Sequence, residues 1–143
     1  MEIARITPDD LHAVARLHAH FWGEVSDVDR MRESLERLQG DPDYCLLCAR
    51  LDGQVAGTAT GVVCHGLYGG FDSYLIVEDV VVDPGFRRRG VASALLGELE
   101  LFAVEQACSH ILLQTETCRE DAVGLYESAG FDGVTRQGFK KKL

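Results

Sequence analysis

Arg87-Arg88-Arg89-Gly90 places three cations and a residue without a Cβ in four consecutive positions. The residues before them, 76–82, are rich in Val and Ile, the mark of a strand buried on both faces. Asp83-Pro84-Gly85 is a turn cluster that stops that strand. The residues after them, VASALLGELELF, have the period of a helix, with Val91, Leu95, Leu99 and Phe102 on one stripe. A strand therefore ends, turns, and enters a helix at an arginine run. A helix N-terminus carries unpaired N–H groups and partial positive charge, so it binds phosphate readily. Gly90 lets backbone approach a ligand closely, and Ala92 and Ser93 keep the first turn small. The chemistry predicted is the cradling of a pyrophosphate. The bland alternative is an ordinary strand-to-helix connection whose arginines are solvated.

The elements that must position this cradle follow from periodicity and punctuation. Residues 2–6 form a short first strand. Thr7 caps a helix with Pro8 at its first position and Asp10 at its third, and Leu11, Val14, Leu17, His18 and Phe21 make its inner stripe. Ser26-Asp27 starts a second helix with Val28, Leu35 and Leu38 inward, closed by Gly40 and Pro42. Residues 44–50 and 54–63 are strands joined by Asp52-Gly53, a hairpin signal. Residues 64–73 form a glycine-rich loop. After the cradle helix come a buried strand at 110–114, a helix over 119–129 stopped by Gly130, and a last strand within 131–143. The order βααβββαβαβ in a chain of 143 residues predicts one domain, 1–143, with a mixed sheet flanked by helices.

Composition narrows the function. A net charge of −9 argues against nucleic-acid binding, which needs a basic face, and is compatible with cationic substrates. No run of about 18 apolar residues exists, so no membrane span is expected. The first ten residues, MEIARITPDD, hold early acids and no apolar core, unlike a signal peptide. With five cysteines, an odd number, the expectation is reduced thiols in the cytoplasm. Cys45 and Cys48 have a metal-like spacing, but three positions along a strand put them on opposite faces, and no second pair completes a site. No metal is expected.

Neither GxxxxGK[ST] nor GxGxxG occurs. The pattern Arg87-x-x-Gly90-x-Ala92 directly after a strand resembles the coenzyme A loop of the GNAT superfamily of N-acetyltransferases. DAVGLYESAGF, from Asp121 to Phe131, resembles the same family's late helix with its tyrosine. The resemblance covers about residues 74–131. It implies an α/β (α+β mixed sheet) fold: a central, mostly antiparallel sheet flanked by helices and splayed at the coenzyme A site. It implies an acetyl-CoA-dependent N-acetyltransferase acting directly on a primary amine of a small molecule or peptide. The pyrophosphate would lie on Arg88, Arg89, Gly90, Val91, Ala92 and Ser93, beside Arg87. The pantetheine arm would pair with the strand Val80-Val81-Val82 as an added strand, with the Val80 N–H polarising the thioester carbonyl.

An amine must be neutral to attack, so a carboxylate near the thioester serves as base. Family members often carry an acid at the position of Glu78, which makes it the first candidate and Asp79 the second. Strand alternation pairs Glu78 with Val80 on one face and Asp79 with Val81 on the other, unless a bulge intervenes. Tyr126 matches the tyrosine proposed to protonate the departing thiolate, and a phenol with a pKa of about 10 can do so at neutral pH; its alternative is core packing beside Val123 and Ala129. Seven residues earlier many family members have Asn, and here Arg119 stands, to contact the coenzyme or cap the helix. The acceptor site falls to the helix 1–helix 2 connection, with Phe21, Trp22 and Tyr68 as walls and Glu24 holding a cation. His20 and His65 are spare bases, and packing is the competing reading for each. Cys118 is a minor candidate for covalent catalysis. The rival outside enzymes is a non-catalytic acyl-CoA-binding module. An exposed sheet edge with a last strand makes a homodimer a further expectation.

Overall fold

In the computed structural model, all residues other than Tyr68, Phe71 and Thr117 are described. Tyr68, expected as an acceptor wall, lies outside the described residues. The chain forms two compact units, Met1–Leu112 and Leu113–Leu143. The first holds β1 (Glu2–Arg5), α1 (Leu11–Trp22), α2 (Val28–Gln39), β2 (Tyr44–Leu51), β3 (Gln54–Cys64), β4 (Ser73–Val82), α3 (Val91–Glu105) and most of β5 (Cys108–Leu113). The five strands lie side by side in chain order. The pairs β1–β2, β2–β3 and β3–β4 are antiparallel. β5 starts beside the start of β4: Ser109 Oγ donates to the Ser73 carbonyl at 3.2 Å, and His110 stacks on Tyr74 at 5.2 Å.

The Asp52-Gly53 turn forms as the sequence predicts, with both residues at positive φ, 54° and 76°, as a two-residue hairpin turn requires. The first helix begins differently. Pro8–Asp10 is a 3-10 turn before α1. Asp10 accepts there from the Thr7 N–H and hydroxyl at 2.8 and 2.7 Å, and Arg50 clamps the same carboxylate at 2.6 Å. Asp27 caps α2 by accepting from the N–H groups of Asp29 and Arg30.

The core has a layer on each side of the sheet. Val91, Leu95, Leu99 and Phe102 of α3 are all buried, as their spacing predicts. Two glycines of β3 let α3 approach: a Cβ at Gly57 would fall 2.7 Å from the Val81 carbonyl and 2.9 Å from Val91, and one at Gly61 would fall 2.9 Å from Leu99. On the other side Ile6, Leu11, Val14, Leu35 and Cys48 cluster under α1 and α2. Cys45 points to the α3 layer, next to Gly61, while Cys48 joins the α1–α2 cluster, so the two thiols do lie on opposite faces. Burial pushes both up to about 11.

The second unit holds α4 (Glu120–Ser128). The expected last strand does not form: residues 131–143 are irregular and, after Phe131, exposed. Asp132 folds the chain back on itself there, accepting from the Val134 and Thr135 N–H groups and the Thr135 hydroxyl. Such side-chain bonds compete with a ladder, and Gly133, Gly138 and three lysines give a strand little to bury.

Candidate active site

β4 runs from a clean antiparallel ladder into the cradle, and it is interrupted once. Glu78 pairs with Thr60 and Val81 with Thr58, so Asp79 and Val80 together face Ala59. This is a β-bulge, and Asp79 takes the left-handed backbone at its centre, φ 54°. Aspartate adopts this conformation occasionally, more readily than most residues other than glycine but still at a cost. The bulge overturns the simple alternation expected along this strand. Directly paired residues share a face. Val77 and Val82 pair with Gly61 and Gly57 and face α3. Val81 pairs with Thr58, whose hydroxyl meets His18 of α1, so Val81 faces α1. Glu78, next to Val77 in the regular part of the strand, also faces α1 and is exposed. Glu78 therefore shares a face with Val81 and not, as alternation predicts, with the next-but-one residue.

The strand then presents backbone to its other neighbour. The Asp83 N–H bonds the Ala56 carbonyl at 2.9 Å, so Val82, one residue back, turns its own N–H and carbonyl toward the β5 side. Asp83 also caps the turn Pro84–Phe86 through the Gly85 N–H. Arg88 and Gly90 both have positive φ, 61° and 80°, which curls the connection into the start of α3. Gly90 is the helix N-cap and has no side chain to offer the first turn; the first helical bond is Ala94 N–H to the Gly90 carbonyl. The N–H groups of Val91, Ala92 and Ser93 therefore precede any intrahelical partner. A Cβ at Gly90 would meet nothing within 4 Å, so the space over this turn is open. Arg87, Arg88 and Arg89 are all exposed; Arg89 reaches Asp52 at 3.3 Å and lies over the Phe86 ring. The open cradle, cationic rim and bare helix N-terminus suit a pyrophosphate.

At the other end of α1, Phe21 and Trp22 pack edge to face at 5.1 Å, and Trp22 is 47% exposed. Trp22 also meets the His18 ring at 4.9 Å. Glu24 follows in the exposed α1–α2 connection, after Gly23 at φ 78°. His20 does not join this group. It lines a cavity of about 550 Å³ with Asp9, Arg16, Arg50 and Asp83, which Glu78 does not border. His65 is bound at both ring nitrogens, to Ser73 Oγ at 2.9 Å and the Asp43 carboxylate at 3.0 Å, and so ties the loop ends together.

In the second unit Tyr126 is half-buried on α4, with its ring 6.0 Å from Phe131. No residue of α4 is fully buried. Arg119 is the N-cap of α4, and its carbonyl accepts from the Ala122 and Val123 N–H groups. Cys118 is exposed, 4.0 Å from Glu116. Among the described residues no three His, Cys, Asp or Glu side chains gather as a metal site, and no helix is long and apolar enough to cross a membrane.

Two residues of this region carry no sequence signal. His18 reads as one more stripe residue of α1, and Thr58 as one strand threonine among several. Only the bulge brings them together with Asp79.

Known proteins resemble this chain. A protein of Mycobacterium leprae is 33% identical over 92% of this chain, which spans 34% of that protein's length. An aminoglycoside N(6')-acetyltransferase type 1 of Salmonella enteritidis is 26% identical over 99% of both chains. The crystal structure of glucosamine-6-phosphate N-acetyltransferase from Arabidopsis thaliana superposes with a TM-score of 0.85 at 18% identity, covering 98% of this chain and 97% of that one. The family described as Acetyltransferase (GNAT) matches residues 11–131, which include both the bulged strand and the tyrosine helix, and the chain therefore belongs to the GNAT acetyltransferases.

Proposed function

We propose that this chain transfers the acetyl group of acetyl-CoA directly to a primary amine of a small cationic molecule. The observation that carries the reading is the bulge of β4, which puts an exposed carboxylate, Glu78, and Val81 on the same α1-facing side of the strand four residues before it leaves for the cradle. The coenzyme's pyrophosphate rests on the N–H groups of Val91, Ala92 and Ser93, with Arg87 and Arg88 on its rim. Its pantetheine arm pairs with the β5-facing backbone of Val82 and with Val80, as an added strand would.

The amine nitrogen attacks the thioester carbon while its proton passes to Glu78, directly or through water. The Val80 N–H is the donor to the developing oxyanion. The C–S bond then breaks, and the thiolate takes a proton from Tyr126, the residue that matches the family's donor. Asp79 lies at the centre of the bulge, and we assign the base to Glu78, the acid exposed on the α1 face. Phe21, Trp22 and Glu24 supply aromatic surface and negative charge for a cationic acceptor. The aminoglycoside acetyltransferase among the relatives supports an acceptor of the polyamine-sugar kind. The buried, unpaired thiols Cys45 and Cys48 suit a reducing cytoplasm.

The test is thiol release from acetyl-CoA against a panel of aminoglycosides, amino sugars, diamines and lysine peptides. Turnover with the cationic small molecules is expected. Turnover confined to peptides would move the acceptor class, and coenzyme binding with no release on any amine would make the chain a binding module.

A further inference from the structure

Among the described residues only Asp10 and Thr58 are polar and fully buried. Asp10 is satisfied by Thr7 and Arg50, far along the chain from the bulge. Thr58 is 2% exposed and sits in β3 opposite Val81, next to the interruption in β4. A buried hydroxyl needs partners, and Thr58 has two. Its Oγ1 lies 3.0 Å from His18 Nε2 and 3.4 Å from the carbonyl oxygen of Asp79. A hydroxyl has one proton, and a carbonyl can only accept. The Thr58 proton therefore goes to Asp79, and the His18 Nε2–H donates to Thr58. This arrangement selects one neutral tautomer of His18, with Nδ1 bare. Burial lowers the His18 pKa against the opposing pull of Asp79, which favours that neutral ring.

We propose that His18 and Thr58 are positioning residues that hold the Asp79 bulge in place and so keep Glu78 on the α1 face. Asp79 is held at φ 54° without being glycine, and such a conformation persists only where its surroundings over-determine it. The hydrogen-bonded chain from α1 through β3 to the bulge carbonyl is that constraint. Loss of the bulge would restore simple alternation and carry Glu78 to the opposite face relative to Val81. Trp22, packed on the His18 ring, connects the acceptor side to the same brace. The catalytic half of the proposal rests on the acetyl-transfer reading; the hydrogen-bonded chain does not.

The experiment has two arms. Nitrogen-15 NMR of the wild-type imidazoles at neutral pH should show His18 protonated at Nε2 and bare at Nδ1. Thr58→Ser should preserve that signature and Thr58→Val should lose it. In steady-state kinetics, Thr58→Val should lower kcat tenfold or more with KM for acetyl-CoA unchanged, and Thr58→Ser should recover most of the loss. An Nδ1-protonated or charged His18 in the wild type overturns the brace, as does a Thr58→Val enzyme with full kcat. If no amine is acetylated by the wild type, the proposed function falls and the spectra alone decide the brace. If Thr58→Val does not fold, the wild-type tautomer and the Thr58→Ser kinetics decide it.

Discussion

Glu78 and Tyr126 can each be tested by removing one function and leaving shape. Glu78→Gln keeps the size of the side chain and abolishes its basicity. The rate at neutral pH should fall by about 10²–10⁴ if the carboxylate takes the amine proton. The deficit should narrow as pH rises, because the free amine then needs no base. A mutant as fast as wild type would hand the role to bulk water. Tyr126→Phe keeps the ring against Phe131 and deletes only the hydroxyl. Both kcat and kcat/KM should drop together, with coenzyme affinity in calorimetry unchanged, since the interaction belongs to the transition state. Unchanged turnover would leave Tyr126 a packing residue. Glu78 and Tyr126 stand out in the sequence, because acids before a cradle and a tyrosine in a late helix have a pattern to match. The backbone of Asp79 was not legible there. An aspartate reads as a carboxylate, and nothing in its neighbours says that its backbone takes the left-handed turn of a bulge. His18 and Thr58 were invisible for a related reason: their significance is a three-way contact between residues 18, 58 and 79.

At the scale of elements, the strand–turn–helix unit was readable because its parts are local. Val and Ile stop, a turn cluster intervenes, and an apolar stripe begins, all within 30 residues. The final strand expected within 131–143 does not form, because a short apolar pattern counts for little without a neighbour to pair with, and Asp132 captures the N–H groups of Val134 and Thr135 instead. The close approach of α3 to β3 has no local signature either, since Gly57 and Gly61 in a strand resemble weak points until α3 is laid across them. The cradle permits a discriminating substitution. Gly90 is left-handed, and Asp tolerates that backbone better than most residues. Its side chain would enter open space. Gly90→Asp should therefore fold, with a modest loss of thermal stability from the strained backbone, yet lose detectable CoA binding in calorimetry, because its charge occupies the anion site. Retained affinity in a folded mutant would place the pyrophosphate elsewhere.

Across the whole molecule, two buried groups set the pH dependence of stability on the acid side, and in the same direction. Burial lowers the pKa of His18 below its ordinary 6.5. Burial alone would raise Asp10, but its bonds to Arg50 and Thr7 outweigh that and hold it below 3.8. In both cases the unfolded chain takes up the proton more readily than the folded one. Stability should therefore be full from about pH 6.5 to about 9, where the thiols of the unfolded chain begin to ionise, and decline as pH falls, first through His18 and then, below 3.8, through Asp10. Urea unfolding at a series of pH values should show the first decline in wild type and lose it in His18→Gln. A wild-type curve flat from pH 7.5 to 5 would contradict the burial of His18.

The placement of Cys45 and Cys48 on opposite faces of one strand has a use of its own. Each thiol is sealed within a different layer, and at neutral pH neither is reactive until its layer opens. With Cys64, Cys108 and Cys118 replaced by serine, trapping by a thiol reagent would clock the two openings separately: Cys45 reports the release of α3, and Cys48 the release of α1 and α2. Equal rates would mean that the first unit comes apart as a whole. A faster Cys48 would mean that α1 and α2 lift while α3 stays shut on the sheet, so that the first unit breathes through one face alone.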